Sequence, residues 1–148
     1  MKKLWRLGAG VGVLASLTAA TPAPAPSEVF VNLAGLRNAK GQVHLCLTNQ
    51  AARFLKCQDD KQAVALSVPA GKARQLSLGR VPPGTYALLV VHDENGNGKL
   101  DMMLGIPREG FGFSNNPTIR MRAPRFDEVR FNLAPGQATQ NVRLKYVL

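Results

Sequence analysis

Acidic residues are scarce in this 148-residue chain, with 9 Asp and Glu against 19 Lys and Arg, a net charge of +10. Aromatic residues make up only 6% of it. Helical periodicity never persists beyond about two turns, which excludes a helical bundle. No apolar run reaches the about 20 residues that a comfortable membrane-spanning helix needs. The two cysteines, Cys46 and Cys57, are spaced too widely for a Cys-x-x-Cys redox pair. No Gly-x-Ser-x-Gly occurs, so the usual hydrolase elbow is missing. His92 has no second His or Cys near it to complete a zinc set, and His44 falls on the polar face of a strand, as a solvent-facing residue would. What the chain has instead is 14 Gly, 10 Pro and an ordinary 45% hydrophobic fraction. That composition excludes a mainly disordered chain and favours turns and strands, and the length suits one domain.

Met1–Ala20 reads as a secretory signal, with Lys2, Lys3 and Arg6 ahead of an apolar stretch from Leu7 to Leu17 and small residues at Thr18-Ala19-Ala20. An uncleaved N-terminal anchor is the alternative. The Pro/Ala repeat that follows, within residues 21–27, is expected to be an extended linker, leaving 28–148 as the folded domain. Export places the protein in the periplasm or outside the cell, where a nucleic-acid partner is not expected. It also changes the charge: without Lys2, Lys3 and Arg6 the basic count falls from 19 to 16 against 9 acids, a net of +7. In an oxidising compartment an even cysteine count favours a Cys46–Cys57 disulfide.

Period-2 alternation dominates the remainder, as half-buried strands require. It runs through Val29/Val31/Leu33, Val43/Leu45/Leu47, Val64/Leu66/Val68, Leu76/Leu78, Val129/Phe131/Leu133 and Val142/Leu144/Tyr146. Tyr86–Val91 is apolar on both faces and predicts a central strand covered on both sides. Turn residues at Asn38–Gly41 and Pro69–Lys72 predict short hairpins, and Ala51–Lys56 one helical turn. The expected architecture is an antiparallel Greek-key β-sandwich of about seven strands. One long interruption, from Asp93 to Pro124, is expected to be a structured loop laid against it, because Leu104, Ile106, Phe111 and Phe113 give it apolar residues to pack with.

The most informative segment opens that loop. Asp93, Asn95 and Asn97 alternate, Gly98 follows, and Asp101 comes last, the spacing of the first nine positions of an EF-hand-type calcium loop. Calcium needs six to eight oxygens, and alternate residues in a tight turn aim short carboxylate or amide side chains inward. The Lys99 carbonyl is a further candidate ligand. Leu104 stands at the twelfth position in place of a bidentate Glu, and Glu109 is the nearest residue that could fill in. A weak calcium site on a β-scaffold is expected, the alternative being a plain turn built on Asn95-Gly96 and Asn97-Gly98. Charge placement favours the cation. Residues 93–109 hold four of the nine acids (Asp93, Glu94, Asp101, Glu109) and two basic residues, a local −2 in a basic protein.

Three functional classes compete. As an enzyme, a hydrolase would have to combine His92 with Ser114 in the long loop. As a binder, His92 and Glu109 with Phe113, Ser114, Asn115 and Asn116 would present aromatic and amide groups to a sugar or peptide; the plainer reading makes the phenylalanines core anchors. As an interaction module, the chain would use Arg120, Arg122, Arg125 and Arg130 toward anionic cell-surface glycans or lipid headgroups, or another envelope protein. The expectation is a non-enzymatic module of the third kind with a calcium-stabilised loop.

The order of Gly35-Leu36-Arg37-Asn38 with Gly41, Pro82–Ala87, His92–Asp101, Gly105-Ile106-Pro107 with Glu109-Gly110, and Gly112–Asn116 resembles the bacterial domain of unknown function 2141 family. The resemblance spans Glu28–Leu148. It implies an exported, small, all-β protein with a prealbumin-type or Cna-B-type sandwich, and it brings no catalytic residues. Met102 and Met103 depart from it, since a polar residue is expected there, and the cysteines lie outside its signature.

Overall fold

The computed structural model describes residues 20–120 and 122–148, so the expected signal lies outside it apart from Ala20. The chain is mostly strand: β1 (Ser27–Ala34), β2 (Gln42–Thr48), β3 (Val64–Pro69), β4 (Gln75–Val81), β5 (Gly84–Asp93), β6 (Met102–Met103), β7 (Ile106–Pro107), β8 (Gly110–Phe113), β9 (Phe131–Leu133) and β10 (Gly136–Arg143). A single helical turn, α1 (Phe126–Val129), precedes β9, and a 3-10 helix spans Ala51–Asp59. No helix of the described residues is long and apolar enough to cross a membrane.

One main sheet has the order β10-β1-β4 and the other β3-β2-β5-β8, with β9 pairing the start of β5, while β6 and β7 pair only with each other as a two-stranded ribbon. Inward residues of both sheets, including Val29, Val31, Leu45, Leu47, Leu88, Val90 and Val142, form one core. Burying each such side chain contributes about 1.5–3 kcal/mol. The alternation read from β1 and β2 is the reason: every second residue faces this core.

The double-sided apolar run in β5 has the expected consequence. Tyr86, Leu88 and Val90 face the main core, while Ala87 faces a second, smaller one with Phe54, Phe111, Phe113 and Val129. Phe54 packs against Phe113 with the rings tilted and their centroids 5.7 Å apart. It sits on the 3-10 helix that the Cys46–Cys57 disulfide, Cα–Cα 6.1 Å, ties to β2. Phe111 and Phe113 are thus core anchors.

Several expectations are corrected. Among the described residues the strands number ten, and the arrangement is not wholly antiparallel: β1 and β10 pair in parallel from Ser27↔Gly136 to Ala34↔Arg143. Asn38–Gly41 and Pro69–Lys72 are not hairpins, because β1→β2 and β3→β4 each cross from one sheet to the other. Val129 ends α1 rather than opening a strand. Gly110–Phe113 is a strand within the predicted loop, paired with β5 from Leu89↔Phe113 to His92↔Gly110. Its glycines are a packing requirement: a Cβ on Gly112 would lie 2.7 Å from Val142 Cγ1.

Candidate functional site

The end of β5 and the connection to β8 concentrate the polar chemistry of the molecule. Asp93, the last residue of β5, is fully buried. Its Oδ1 accepts the backbone N–H groups of Gly96 (2.7 Å) and Asn97 (3.1 Å), and its Oδ2 that of Gly98 (2.7 Å). His44 Nε2 completes the set at 3.1 Å. Gly98 is at φ +76°, which side chains rarely adopt, and this bend brings its N–H to the carboxylate. Burial opposes ionisation of Asp93, but the hydrogen bonds from Gly98, His44, Gly96 and Asn97 outweigh it, so the carboxyl lies below its ordinary range.

Outward from this anchor, Asn95 Nδ2 donates to Asp101 Oδ2 at 2.6 Å and Asn97 Nδ2 to Asp101 Oδ1 at 2.8 Å. Asn95 Oδ1 accepts the Asn97 N–H (3.0 Å), and Asn97 Oδ1 accepts the Lys99 N–H (2.9 Å). The loop therefore brings Asp93, Asn95, Asn97 and Asp101 together around one turn, with Lys99 on its rim. Leu104 does not join them; it lies at the tip of the β6–β7 hairpin. Glu109 is 4% exposed and braces the loop from below, its two oxygens accepting the N–H groups of Glu94 (2.9 Å) and Asp101 (3.1 Å).

A second network fastens the loop to the sheets. Arg37 forms a two-pronged ion pair with Glu94, which also accepts from Asn38 Nδ2. The Arg37 guanidinium holds the Glu94 carboxyl down at about 2. Arg37 also donates to the carbonyls of Leu148 and Arg108 and lies 4.5 Å over the Tyr146 ring. Gly41 makes this approach possible, since a Cβ there would fall 1.9 Å from the Asp93 carbonyl oxygen.

His92 is fully buried, with Nε2 donating to the Lys40 carbonyl at 2.8 Å and Nδ1 accepting from the Tyr146 hydroxyl at 2.7 Å. Both ring nitrogens are thereby engaged. Ser114 Oγ donates to the Val129 carbonyl and accepts the Leu88 N–H. It is held four residues along β5 from His92, about 13 Å at strand spacing, so the two are not brought together. Asn115 bonds the Arg130 carbonyl, and Asn116 accepts from Arg143 N and donates to the Asn141 carbonyl. Ser114 to Asn116 thus stitch the end of β8 to the end of α1 and to β10. The arginines after the loop are partly neutralised: Arg122 pairs with Glu128 at 2.7 Å and Arg130 with Asp127 at 3.3 Å.

Sequence reasoning missed His44 and Ser67. Ser67 Oγ lies 2.7 Å from His44 Nδ1, so hydroxyl, imidazole and Asp93 carboxylate form a line. Directly opposed positions on β2 and β3 set the first contact, a pairing that alternation alone does not specify. The order is that of a serine-hydrolase relay. Here Ser67 stands on the open face of edge strand β3, and Asp93 is committed to the loop backbone. Two surface clefts lie elsewhere, one around Pro117, Arg120 and Glu128, the other around Asn32, Leu36 and Arg74.

Fold and site together define an all-β protein that carries an Asx-rich loop at one end of its two main sheets. The chain belongs to the bacterial family described as "Uncharacterized protein conserved in bacteria (DUF2141)", whose family model matches residues 31–141. No curated protein matches the chain, and no solved structure does.

Proposed function

We propose that the protein is an exported, non-enzymatic interaction module, a Greek-key sandwich of the prealbumin or Cna-B kind with one parallel strand pair, whose 93–101 loop binds calcium. One observation carries this reading: Asn95 and Asn97 converge on the two oxygens of Asp101 in a turn whose backbone is already organised around Asp93. Among the described residues no three His, Cys, Asp or Glu side chains cluster as metal ligands. The donor set is therefore mixed, with amide and backbone oxygens beside few carboxylates. Turning the two amides end for end presents Oδ1 where Nδ2 now meets Asp101. Asp101, Asn95, Asn97 and the Lys99 carbonyl then supply oxygens, water completes the shell, and Asp93 joins where the ion replaces His44 on Oδ2. So few charges suit the 10⁻⁴–10⁻³ M affinity of extracellular calcium modules. Engagement of His92 and Ser114 in structural bonds supports a role without catalysis, and the disulfide supports an oxidising compartment.

The test is thermal unfolding in chelator and in 10 mM calcium. At that affinity calcium stabilises by roughly 1.4–2.7 kcal/mol, a rise of several degrees. Asp101→Ala removes the rise, and an unchanged melting temperature in the unmodified protein sinks the reading.

A further inference from the structure

The β6–β7 hairpin carries apolar side chains that nothing covers. Leu104 is 97% exposed, Met102 53%, Met103 46% and Ile106 39%. Monomeric proteins scatter such residues singly; grouped on one projection they mark a surface for a partner or a membrane. The turn is made by Leu104 at φ +50° and Gly105 at φ +78°, between the pairs Met103↔Ile106 and Met102↔Pro107. Two positive φ angles favour Asn-Gly at such a turn. A leucine there is held against its backbone preference and placed fully in water, a cost in folding with no return in packing.

We infer that this hairpin is a membrane-contacting tip that inserts its apolar side chains into the interface of an anionic bilayer. Successive strand residues point to opposite faces, so Met102 and Met103 make both faces of the ribbon apolar. A protein groove covers one face of such a ribbon, whereas a fluid bilayer surrounds both. Charge at the rim agrees with lipid headgroups. Lys99 and Arg108 flank the hairpin, exposed and unpaired with any carboxylate among the described residues. The nearby acids are subdued: Glu94 is paired with Arg37, Glu109 is buried, and Asp101 is bonded by two amides. Basic residues at this level contact anionic headgroups while the apolar tip enters the acyl boundary.

The experiment uses the chain recovered from expressing cells, with Trp5→Phe and Leu104→Trp, so that emission reports the tip alone. It is run in chelator, so that its failure is distinct from failure of the calcium reading. Vesicles of phosphatidylcholine with phosphatidylglycerol are expected to move the emission to shorter wavelength, and lipids brominated in their acyl chains to quench it. Pure phosphatidylcholine vesicles produce the same change only at higher lipid concentration. Adding Met102→Ser and Met103→Ser raises the lipid concentration at half-change by about tenfold or more, the effect of losing several buried carbons. Emission unchanged by anionic vesicles, or a half-change that the double serine variant leaves in place, overturns the proposal and leaves a protein partner as the tip's occupant. All substituted positions are exposed in the fold or lie outside its described residues, so circular dichroism and melting are expected to match the unmodified chain.

Discussion

The connection between β5 and β8 divides into two halves built on opposite terms. Residues 93–101 are polar apart from Leu100 and the glycines, and their side chains and backbone amides bond one another around Asp93 and Asp101. Residues 102–106 are apolar and exposed, with Leu104 almost wholly in solvent. The first half is ordered by what it does within the molecule. The second half gains nothing from its own side chains, so their chemistry has to be sought in contact with something else. A single insertion can thus contain its own scaffold and the surface that the scaffold displays.

The contrast is broken most strongly at its anchor. Asp93→Ala strips acceptors from the Gly96, Asn97 and Gly98 amides and leaves His44 without its carboxylate; a loss of about 3 kcal/mol or more in urea unfolding is expected. Next comes acid. Glu94 titrates ordinarily near 4.5 and in the folded protein at about 2, because Arg37 holds it ionised. A depressed carboxyl contributes its stability fully above pH 4.5, and that contribution fades as pH falls toward 2. Glu94→Gln removes it, so the variant is less stable at neutral pH and its stability changes less between pH 4.5 and 2 in a pH-resolved denaturant series. The smallest effect belongs to the tip. Leu104→Asn relieves the left-handed leucine and is expected to raise stability by up to about 1 kcal/mol, measured by the same unfolding. A destabilisation there would mean that Leu104 packs, and would erase the difference between the halves.

Much of this was legible beforehand. Alternation located β1 and β2 and their inward faces, the unbroken run at Tyr86–Val91 marked the strand between two cores, and the Asx spacing picked out the loop around Asp93. Three features were not. The parallel pairing of β1 with β10 joins segments more than a hundred residues apart, which local patterns do not register. Gly110–Phe113 read as loop because glycine disfavours strands, yet there it makes room for Val142 and Tyr146. His44 read as a solvent-facing strand residue, although its position opposite Ser67 and near Asp93 makes it part of the loop's anchor. In each case a partner distant in sequence, not a local preference, decided the outcome.

The calcium reading is tested most directly by titrating the ¹⁵N-labelled protein with calcium and following the side-chain amide signals of Asn95 and Asn97 with the backbone amide of Gly98. If the loop takes up the ion, these signals move together and saturate at about millimolar calcium, as the two amides turn their oxygens inward, while amides of β1 and β10 stay in place. Signals of Asn95 and Asn97 that remain fixed to well above that concentration would contradict it and leave the loop a turn held by its own hydrogen bonds.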